Sequence, residues 1–228
     1  MITKEKVNTD TIFVDCFNTI IFRKIKNNMV FKNWAKELSV IYRINWKIFY
    51  KTYKQTNFKM CFTKLFTSLT LQENIDNVLN KMYFKLNKKY KFIEYNNFIS
   101  TAKEIYMKKE LECFYVNTDL INFLKSEKLN GKKIYLVSDF YCKSDVFKFW
   151  FSNLNILDVF DEIFSSADFN KEKATTKIYK YLLKTLNLNP KQVTMYGDNI
   201  WSDIMMAKLS GLQAKRIKVK QRRNYEEN

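Results

Sequence analysis

Five short strand-like runs, separated by segments of helical pattern, constrain the fold of this chain most strongly. The runs cover residues 11–16, 133–138, 162–165, 192–196 and 214–219. In the first run, continuous rather than alternating hydrophobicity predicts a strand that is covered on both faces, as in a parallel sheet. Helical spacing of apolar residues separates the later runs, over residues 118–129, 143–154, 174–186 and 202–209. The alternation of strand and helix predicts an α/β protein with a doubly wound, parallel, Rossmann-like sheet.

The stretch between the first two runs differs from the rest of the chain in its composition and in the spacing of its apolar residues. From residue 28 to residue 109 it contains no Gly or Pro, and its apolar residues recur at helical spacing. A crossover between parallel strands needs only about a dozen residues, so the excess length is expected to form an all-helical insertion. The predicted division is an α/β core of residues 1–24 and 112–228 and a helical domain of residues 25–111.

The chain contains no histidine. This absence excludes Ser-His-Asp and Cys-His catalysis, His-ligated zinc and imidazole general bases. The four cysteines form no C-x-x-C pair and are expected to be reduced, buried thiols of a cytosolic protein. They are Cys16, Cys61, Cys113 and Cys142. Any enzymatic chemistry must therefore depend on carboxylates, lysines, hydroxyls or a hard metal ion.

The chain is strongly basic, with 40 Lys and Arg against 23 Asp and Glu and a net charge of +17 at pH 7. Such an excess can indicate a nucleic-acid partner, and residues 81–91 interleave lysines with aromatics that could stack on bases. Because nearly all the basic residues are lysine, we favour a solvated surface and an amphipathic helix with buried aromatics. A polar N-terminus and the absence of a long apolar run predict a cytoplasmic protein without a signal peptide or membrane span.

The chain has only three glycines, and one of them marks a candidate site. Gly131 and Gly211 fall at the ends of predicted helices, where a left-handed residue is favoured. Gly197 instead follows a predicted strand directly, at the place where open α/β sheets bind ligands. We interpret Gly197 as a position where a side chain would not fit.

Aspartates occur at the carboxyl ends of two predicted strands. Asp15 ends the first strand and Asp198 follows the fourth, while Asp203 lies in the turn that enters the next helix. The first and fourth strands adjoin in a doubly wound sheet, so the three carboxylates are expected to converge. Three carboxylates without histidine suit an oxygen-preferring cation such as Mg²⁺. The alternative is that each aspartate merely caps the helix that follows it.

These residues resemble the motifs of the haloacid dehalogenase (HAD) superfamily of phosphotransferases and hydrolases. An apolar strand followed by D-x-x-x-T matches FVDCFNTI, with Asp15 and Thr19. A strand that ends in Ser or Thr matches IYLVS with Ser138, and a lysine at a helix start matches Lys173. The fourth motif, G-D-x-x-x-x-D, matches GDNIWSD at residues 197–203. The residues in and around these motifs further resemble a bacterial subgroup of the superfamily, whose members are found beside or fused to glycosyltransferases.

The resemblance implies a role for each matching residue. Asp15 would be the nucleophile that forms an aspartyl-phosphate, and Lys173 would neutralise both this carboxylate and the phosphate. Ser138 would donate a hydrogen bond to a phosphoryl oxygen, and Thr19 would fix the phosphate-binding loop that includes Asn18. The ligands implied for a Mg²⁺ cofactor are Asp15, the main-chain carbonyl of Phe17, Asp198 and, through the water shell or the loop, Asp203. The helical insertion would be the family's cap, which selects a small phosphorylated substrate such as a sugar phosphate.

The chain departs from the family pattern at Phe17. Phosphatases of this family usually carry a second aspartate there as general acid and base, and loss of such a group lowers the rate by about 10²–10⁴-fold. Asp139 could replace it, although a helix-capping role is equally open. Alternatively, the leaving group needs little protonation, or the protein is a weakly catalytic binding or partner-interaction module. Dehalogenating members also carry an aromatic residue here but need no metal, and the complete pair of Asp198 and Asp203 favours phosphoryl chemistry.

Overall fold

The computed structural model of the protein describes residues 9–64, 74–91 and 94–218, with the backbone alone over residues 59–64. Residues 1–8, on which the expectation of no signal peptide depends, lie outside the described residues. Over the described residues the chain divides into two compact units, the first made of residues 9–22 and 115–218 and the second of residues 23–64, 74–91 and 94–114. No helix among the residues described is both long and apolar enough to cross a membrane.

The structure contains the following strands and helices in the described ranges. The strands are β1 (Thr11–Val14), β2 (Ile21–Arg23), β3 (Phe114–Val116), β4 (Lys133–Ser138), β5 (Glu162–Ser165), β6 (Val193–Gly197) and β7 (Gln213–Arg216). The helices are α1 (Asn27–Tyr42), α2 (Trp46–Lys64), α3 (Ile75–Asn87), α4 (Tyr95–Glu112), α5 (Thr118–Leu129), α6 (Ser144–Asn153), α7 (Ser166–Phe169), α8 (Lys177–Thr185) and α9 (Met206–Leu209).

The first unit is built on a five-stranded parallel sheet of order β5-β4-β1-β6-β7. This order confirms the predicted doubly wound α/β fold, with β1 at the centre between β4 and β6. Phe13 of β1 lies in a buried cluster with Ile178 and Leu182 of α8, and Ile12 and Val14 are also fully buried. Burial of each such side chain contributes about 1.5–3 kcal/mol. The continuous apolar run therefore reflects a strand covered on both faces.

The second unit is helical over its described residues, apart from the strand ends at its two junctions. Helix α1 packs against α2 and α4, and α3 also packs against both of these helices. The indole of Trp34, fully buried, donates a hydrogen bond to the carbonyl of Ala102 at 2.8 Å and so ties α1 to α4. Helix α3, which carries the start of the lysine-rich segment 81–91, buries Tyr83 and leaves Phe84 exposed.

Strands β2 and β3 pair in a separate two-stranded sheet that the sequence patterns did not predict. Each strand has only three residues, which is too short for a periodic signal. Next to them, the side-chain amide of Asn117 donates to the carbonyl of Thr19 at 2.9 Å. Cys16, Cys113 and Cys142 are buried thiols, as expected, whereas the side chain of Cys61 lies outside the described residues.

Candidate active site

Asp15 follows the central strand of the sheet at its carboxyl end. Its N–H donates to the carbonyl of Tyr196 in β6 at 2.8 Å, which continues the pairing of β1 with β6 by one residue. The hydroxyl of Thr19 donates to Asp15 Oδ2 at 3.1 Å. Backbone pairing and side-chain contact together fix this carboxylate at the edge of the sheet, and only 7% of the residue is exposed.

The loop after Asp15 turns tightly, which is why β1 ends before the predicted residue. The carbonyl of Cys16 accepts the N–H groups of Ile20 and Ile21 at 2.8 and 3.0 Å, bonds that a strand would not make. Asn18 has a φ of 56°, a left-handed backbone that asparagine tolerates better than most residues. The side chain of Asn18 is exposed, outside the hydrogen-bonded cluster of the described site.

Asp198 and Asp203 follow β6, the neighbour of β1. The chain forms a π-helical turn over Ile200–Met205 before α9, instead of the predicted helix from residue 202. This turn brings Asp203 back over Gly197, where an added Cβ would lie 2.3 Å from Asp203 Oδ2. The interpretation of Gly197 is therefore confirmed: a side chain at residue 197 would occupy the space of the Asp203 carboxylate. Isolated π turns often occur at functional sites.

Lys173 joins two of the carboxylates. Its ammonium nitrogen lies 2.6 Å from Asp15 Oδ1 and 2.7 Å from Asp203 Oδ1, and the residue is only 2% exposed. Lys173 begins a 3₁₀ turn, and α8 begins at Lys177 rather than at the predicted Ala174. The reason is that Thr176 has a φ of 61°, which interrupts the helical backbone.

The three carboxylates converge as the sequence predicted. One oxygen from each of Asp15, Asp198 and Asp203 lies within 4.8 Å of the others. When all three are ionised, the single positive charge of Lys173 leaves two negative charges in this cluster. Oxygen donors with this residual charge are the ligand set that a hard divalent cation prefers. The cluster can therefore hold such a cation.

The electrostatics of the cluster reflect its burial. Burial raises the pKa of Asp15 to about 7, with Lys173 opposing the shift and the charge of Asp203 adding to it. Burial also raises the pKa of Asp198, and the charge of Asp203 adds to that increase. Burial disfavours the charged form of Lys173, but Asp15 and Asp203 outweigh it and raise the pKa of the lysine well above 10.5. The lysine is therefore positively charged at neutral pH.

Asp139 lies next to this cluster but contacts backbone atoms. Both of its carboxylate oxygens accept the N–H of Lys173 at 2.9 Å, and Oδ2 also accepts the N–H of Ala174 at 3.3 Å. Burial raises the pKa of Asp139, opposed by these contacts and by the charge of Lys173. The carboxylate thus caps the turn that carries Lys173. Ser138 ends β4 at the same edge of the sheet with 1% exposure, outside the hydrogen-bonded cluster of described residues.

Phe17 belongs to an aromatic cluster two residues after Asp15. Its ring centroid lies 4.2 Å from that of Phe140 and 6.3 and 6.2 Å from those of Phe147 and Trp150. Phe147 and Trp150 are fully buried, Phe140 is 8% exposed and Phe17 is half-buried. An apolar aromatic surface, continuous with the core, therefore stands where the family pattern has an acid.

Three residues that support the site were not singled out from the sequence. Asn199 accepts the N–H groups of Trp201 and Ser202 on its side chain, while its own N–H donates to Asp203 Oδ2 at 3.1 Å. The Ser202 hydroxyl donates to Asp203 Oδ1 at 3.2 Å, and the Tyr179 hydroxyl donates to the carbonyl of Ser202 at 2.9 Å. Of these three residues, Asn199 could have been predicted from the sequence, because asparagine is a preferred cap before a helix.

Comparisons with known proteins agree with this geometry. The haloacid dehalogenase-like hydrolase family matches residues 44–217, a range that includes Lys173 and Asp198 and begins after Asp15. No curated protein matches the chain. A 2-haloacid dehalogenase from Pseudomonas syringae is similar in structure, with a TM-score of 0.61, 11% identity and coverage of 90% of this chain and 85% of that chain.

Two further solved structures are similar over most of their length. A HAD phosphatase from Thermococcus onnurineus has a TM-score of 0.58 and 20% identity, over 95% of this chain and 90% of that chain. A HAD hydrolase from Bacillus subtilis, YfnB, bound to magnesium, has a TM-score of 0.54 and 18% identity, over 91% and 87%. At these identities the likeness establishes the fold, and the family match extends over most of the chain. The protein therefore belongs to the haloacid dehalogenase-like hydrolase family.

Proposed function

We propose that this hydrolase is a Mg²⁺-dependent phosphatase or phosphotransferase that acts on a small phosphorylated metabolite, with Asp15 as the nucleophile. The observation that carries the proposal is the contact of the Lys173 ammonium with Asp15 and Asp203, at 2.6 and 2.7 Å, inside a cluster of carboxylates. An anionic carboxylate can attack an anionic phosphate only where positive charge screens both. Lys173 supplies part of that charge from the protein itself.

The carboxylate of Asp15 is oriented through both of its oxygens. Lys173 holds Oδ1 and the hydroxyl of Thr19 holds Oδ2 at 3.1 Å. A nucleophile fixed in this way needs little reorganisation before in-line attack. Ser138, at the end of the adjacent strand β4, and Asn18, in the loop after β1, are proposed to bind the phosphoryl oxygens.

The residues fit a magnesium ion. Asp15, Asp198, the main-chain carbonyl of Phe17 and, through the water shell or the loop, Asp203 would hold it. The ion would offset the two negative charges that Lys173 leaves in the cluster and would screen the charge of the phosphate. The similar hydrolase of Bacillus subtilis is bound to magnesium, which supports the choice of ion.

The helical domain of residues 25–111 is proposed to be a cap that selects the substrate. A small phosphorylated metabolite, such as a sugar phosphate, would be this substrate, and the protein would act in the cytoplasm. A nucleic-acid partner for the lysine-rich surface stays an alternative, and steep dependence of binding on salt would be its signature.

A panel of phosphate esters and acyl phosphates, assayed with Mg²⁺, tests the proposal. Asp15→Asn should reduce hydrolysis to the background rate, because an amide is a poor nucleophile. Asp119→Asn, which makes the same change at an exposed residue in α5, should leave the rate unchanged. Equal rates for the wild type and Asp15→Asn would refute the proposal. Lack of turnover together with salt-sensitive binding to a partner would favour the binding module.

A dehalogenase is the second candidate, because Phe17, two residues after Asp15 in the sequence, belongs to an aromatic cluster. A 2-haloacid dehalogenase is also among the similar structures. Displacement of halide from carbon by Asp15 would need no metal ion. Release of halide from 2-haloacids in the presence of a chelator would support this candidate, and dependence of all turnover on Mg²⁺ would exclude it.

A further inference from the structure

We infer that this site transfers phosphoryl groups from weakly basic leaving oxygens, as in acyl phosphates and aryl phosphates, and reacts poorly with phosphate esters of ordinary alcohols. The inference rests on the proposed function and narrows its substrate class. It concerns one chemical requirement, the proton that a strongly basic leaving oxygen needs when its bond to phosphorus breaks.

The need for that proton depends on the leaving group. A carboxylic acid has a pKa of about 4 and a phenol one of about 10, so a carboxylate or phenolate can depart as an anion. An alcohol resembles water, whose pKa is about 16, and its alkoxide departs slowly without a proton donor. A positioned general acid contributes about 10²–10⁴-fold to the rate of such a step.

The ammonium of Lys173 is engaged in ion pairs and is therefore a poor proton donor for a leaving group. Its ammonium lies between Asp15 and Asp203, at 2.6 and 2.7 Å, in a residue that is 2% exposed. A proton given to a leaving oxygen would remove the charge that stabilises both carboxylates. The geometry therefore assigns Lys173 to screening of charge rather than to proton delivery.

The carboxylate of Asp139 is also engaged in hydrogen bonds. Both of its carboxylate oxygens accept the backbone N–H of Lys173, and one also accepts the N–H of Ala174. A protonated carboxyl group aimed at a substrate would have to give up these bonds and release the turn that carries Lys173. Asp139 is thus a positioning residue, which removes the substitute acid that the sequence left open.

The position two residues after the nucleophile is occupied by an apolar aromatic ring instead of an acid. Phe17 contacts Phe140 at a centroid distance of 4.2 Å, and behind this pair Phe147 and Trp150 are fully buried. Phe17 itself is only half-buried, so part of this residue remains accessible to a ligand. An apolar ring surface favours an aromatic or apolar leaving group through stacking and offers no proton.

The reaction balances without a proton donor from the protein. An oxygen of Asp15 bonds to phosphorus while the bond from phosphorus to the leaving oxygen breaks, and that oxygen departs with the electron pair as a carboxylate or phenolate. Water then attacks phosphorus, the bond to the Asp15 oxygen breaks, and both protons of the water remain on the dihydrogen phosphate product. Asp15 is thereby returned as a carboxylate.

The test is the dependence of kcat/KM on the leaving group, measured on the wild-type protein with Mg²⁺. The substrates are acetyl phosphate, a series of substituted aryl phosphates and an alkyl phosphate. Without a general acid, kcat/KM should fall by close to tenfold for each unit rise in the pKa of the leaving group, because the leaving oxygen carries nearly the full charge in the transition state. A series in which kcat/KM is independent of leaving-group pKa would overturn the inference while leaving the proposed function intact. No turnover of any substrate would refute both.

Two variants of residue 17 test whether the missing proton donor limits the reaction with alkyl phosphates. Phe17→Asp introduces an acid at this position and should raise kcat/KM for the alkyl phosphate by about 10²-fold. Phe17→Asn introduces a side chain that is similar to aspartate in size and polarity but is not an acid, and it should give no such gain. An equal gain in both variants would contradict the inference, since it would assign the effect to the lost ring. If neither variant folds, the wild-type series still decides.

Discussion

Replacement of Gly197 by alanine should disrupt the candidate site through a single added methyl group. The new Cβ would lie 2.3 Å from Oδ2, 2.4 Å from Cγ and 2.6 Å from Cβ of Asp203. These distances are far below van der Waals contact, so Asp203 would have to move. Its carboxylate would then lose the ammonium of Lys173 at 2.7 Å and the N–H of Asn199 at 3.1 Å.

The size of the effect follows from these contacts. Overpacking alone costs about 1–3 kcal/mol, and the breaking of a buried ion pair costs about 3–5 kcal/mol. The two terms overlap because one movement causes both, so we expect a loss of about 3–5 kcal/mol. That is a large part of the roughly 5–15 kcal/mol that stabilises a typical protein.

Urea unfolding of the metal-free protein measures this loss, and Gly131→Ala is the matched control. An added Cβ at Gly131 has no neighbour within 4 Å, but its φ of 84° is unfavourable for alanine, which costs about 1–2 kcal/mol. Gly197 lies outside the left-handed region, so its penalty would be steric only. A loss for Gly197→Ala no larger than that for Gly131→Ala would refute the arrangement of Gly197 and Asp203.

Three other predictions concern the charges of the protein. Affinity for Mg²⁺ should fall as the pH drops below about 7, because burial raises the pKa of Asp15 to about 7 and the ion must displace that proton. Calorimetry in buffers of different ionisation enthalpy should detect the release of this proton, and Asp15→Asn should reduce the release. Lys173→Met should destabilise the metal-free protein by about 3–5 kcal/mol, since Asp15 and Asp203 lose their shared cation, and Mg²⁺ should recover part of this loss in urea titrations. Glu110→Gln should cost about 1–3 kcal/mol in urea unfolding, because Arg23 donates two hydrogen bonds to the buried Glu110 carboxylate; an unchanged midpoint would contradict this.

The sheet and its acidic edge could be predicted because their signals are local. The continuous apolar run of the first strand identifies a strand buried on both faces, and parallel strands bring their carboxyl ends to one edge. These two facts were sufficient to predict that Asp15, Asp198 and Asp203 converge. The role of Gly197 was also readable, since glycine is scarce in this chain and the residue follows a strand.

The details that complete the site depend on contacts between distant parts of the chain. Asp139 caps the turn at Lys173, across 34 positions of the sequence, and no local pattern reveals that partner. Helix α8 begins at Lys177 and not at the predicted residue 174. The reason is that Thr176 adopts a left-handed backbone, which a β-branched residue rarely does. The π turn over Ile200–Met205 brings Asp203 against Gly197, a contact that helix propensity does not indicate.

Identification of a covalent intermediate tests the central claim most directly. The protein would be mixed with ³²P-labelled acetyl phosphate and Mg²⁺, quenched in acid within milliseconds, and digested for peptide mapping. The proposed function predicts an acid-stable, base-labile acyl phosphate on Asp15 that is absent from Asp15→Asn. Turnover without label at Asp15, or label that persists in Asp15→Asn, would contradict it.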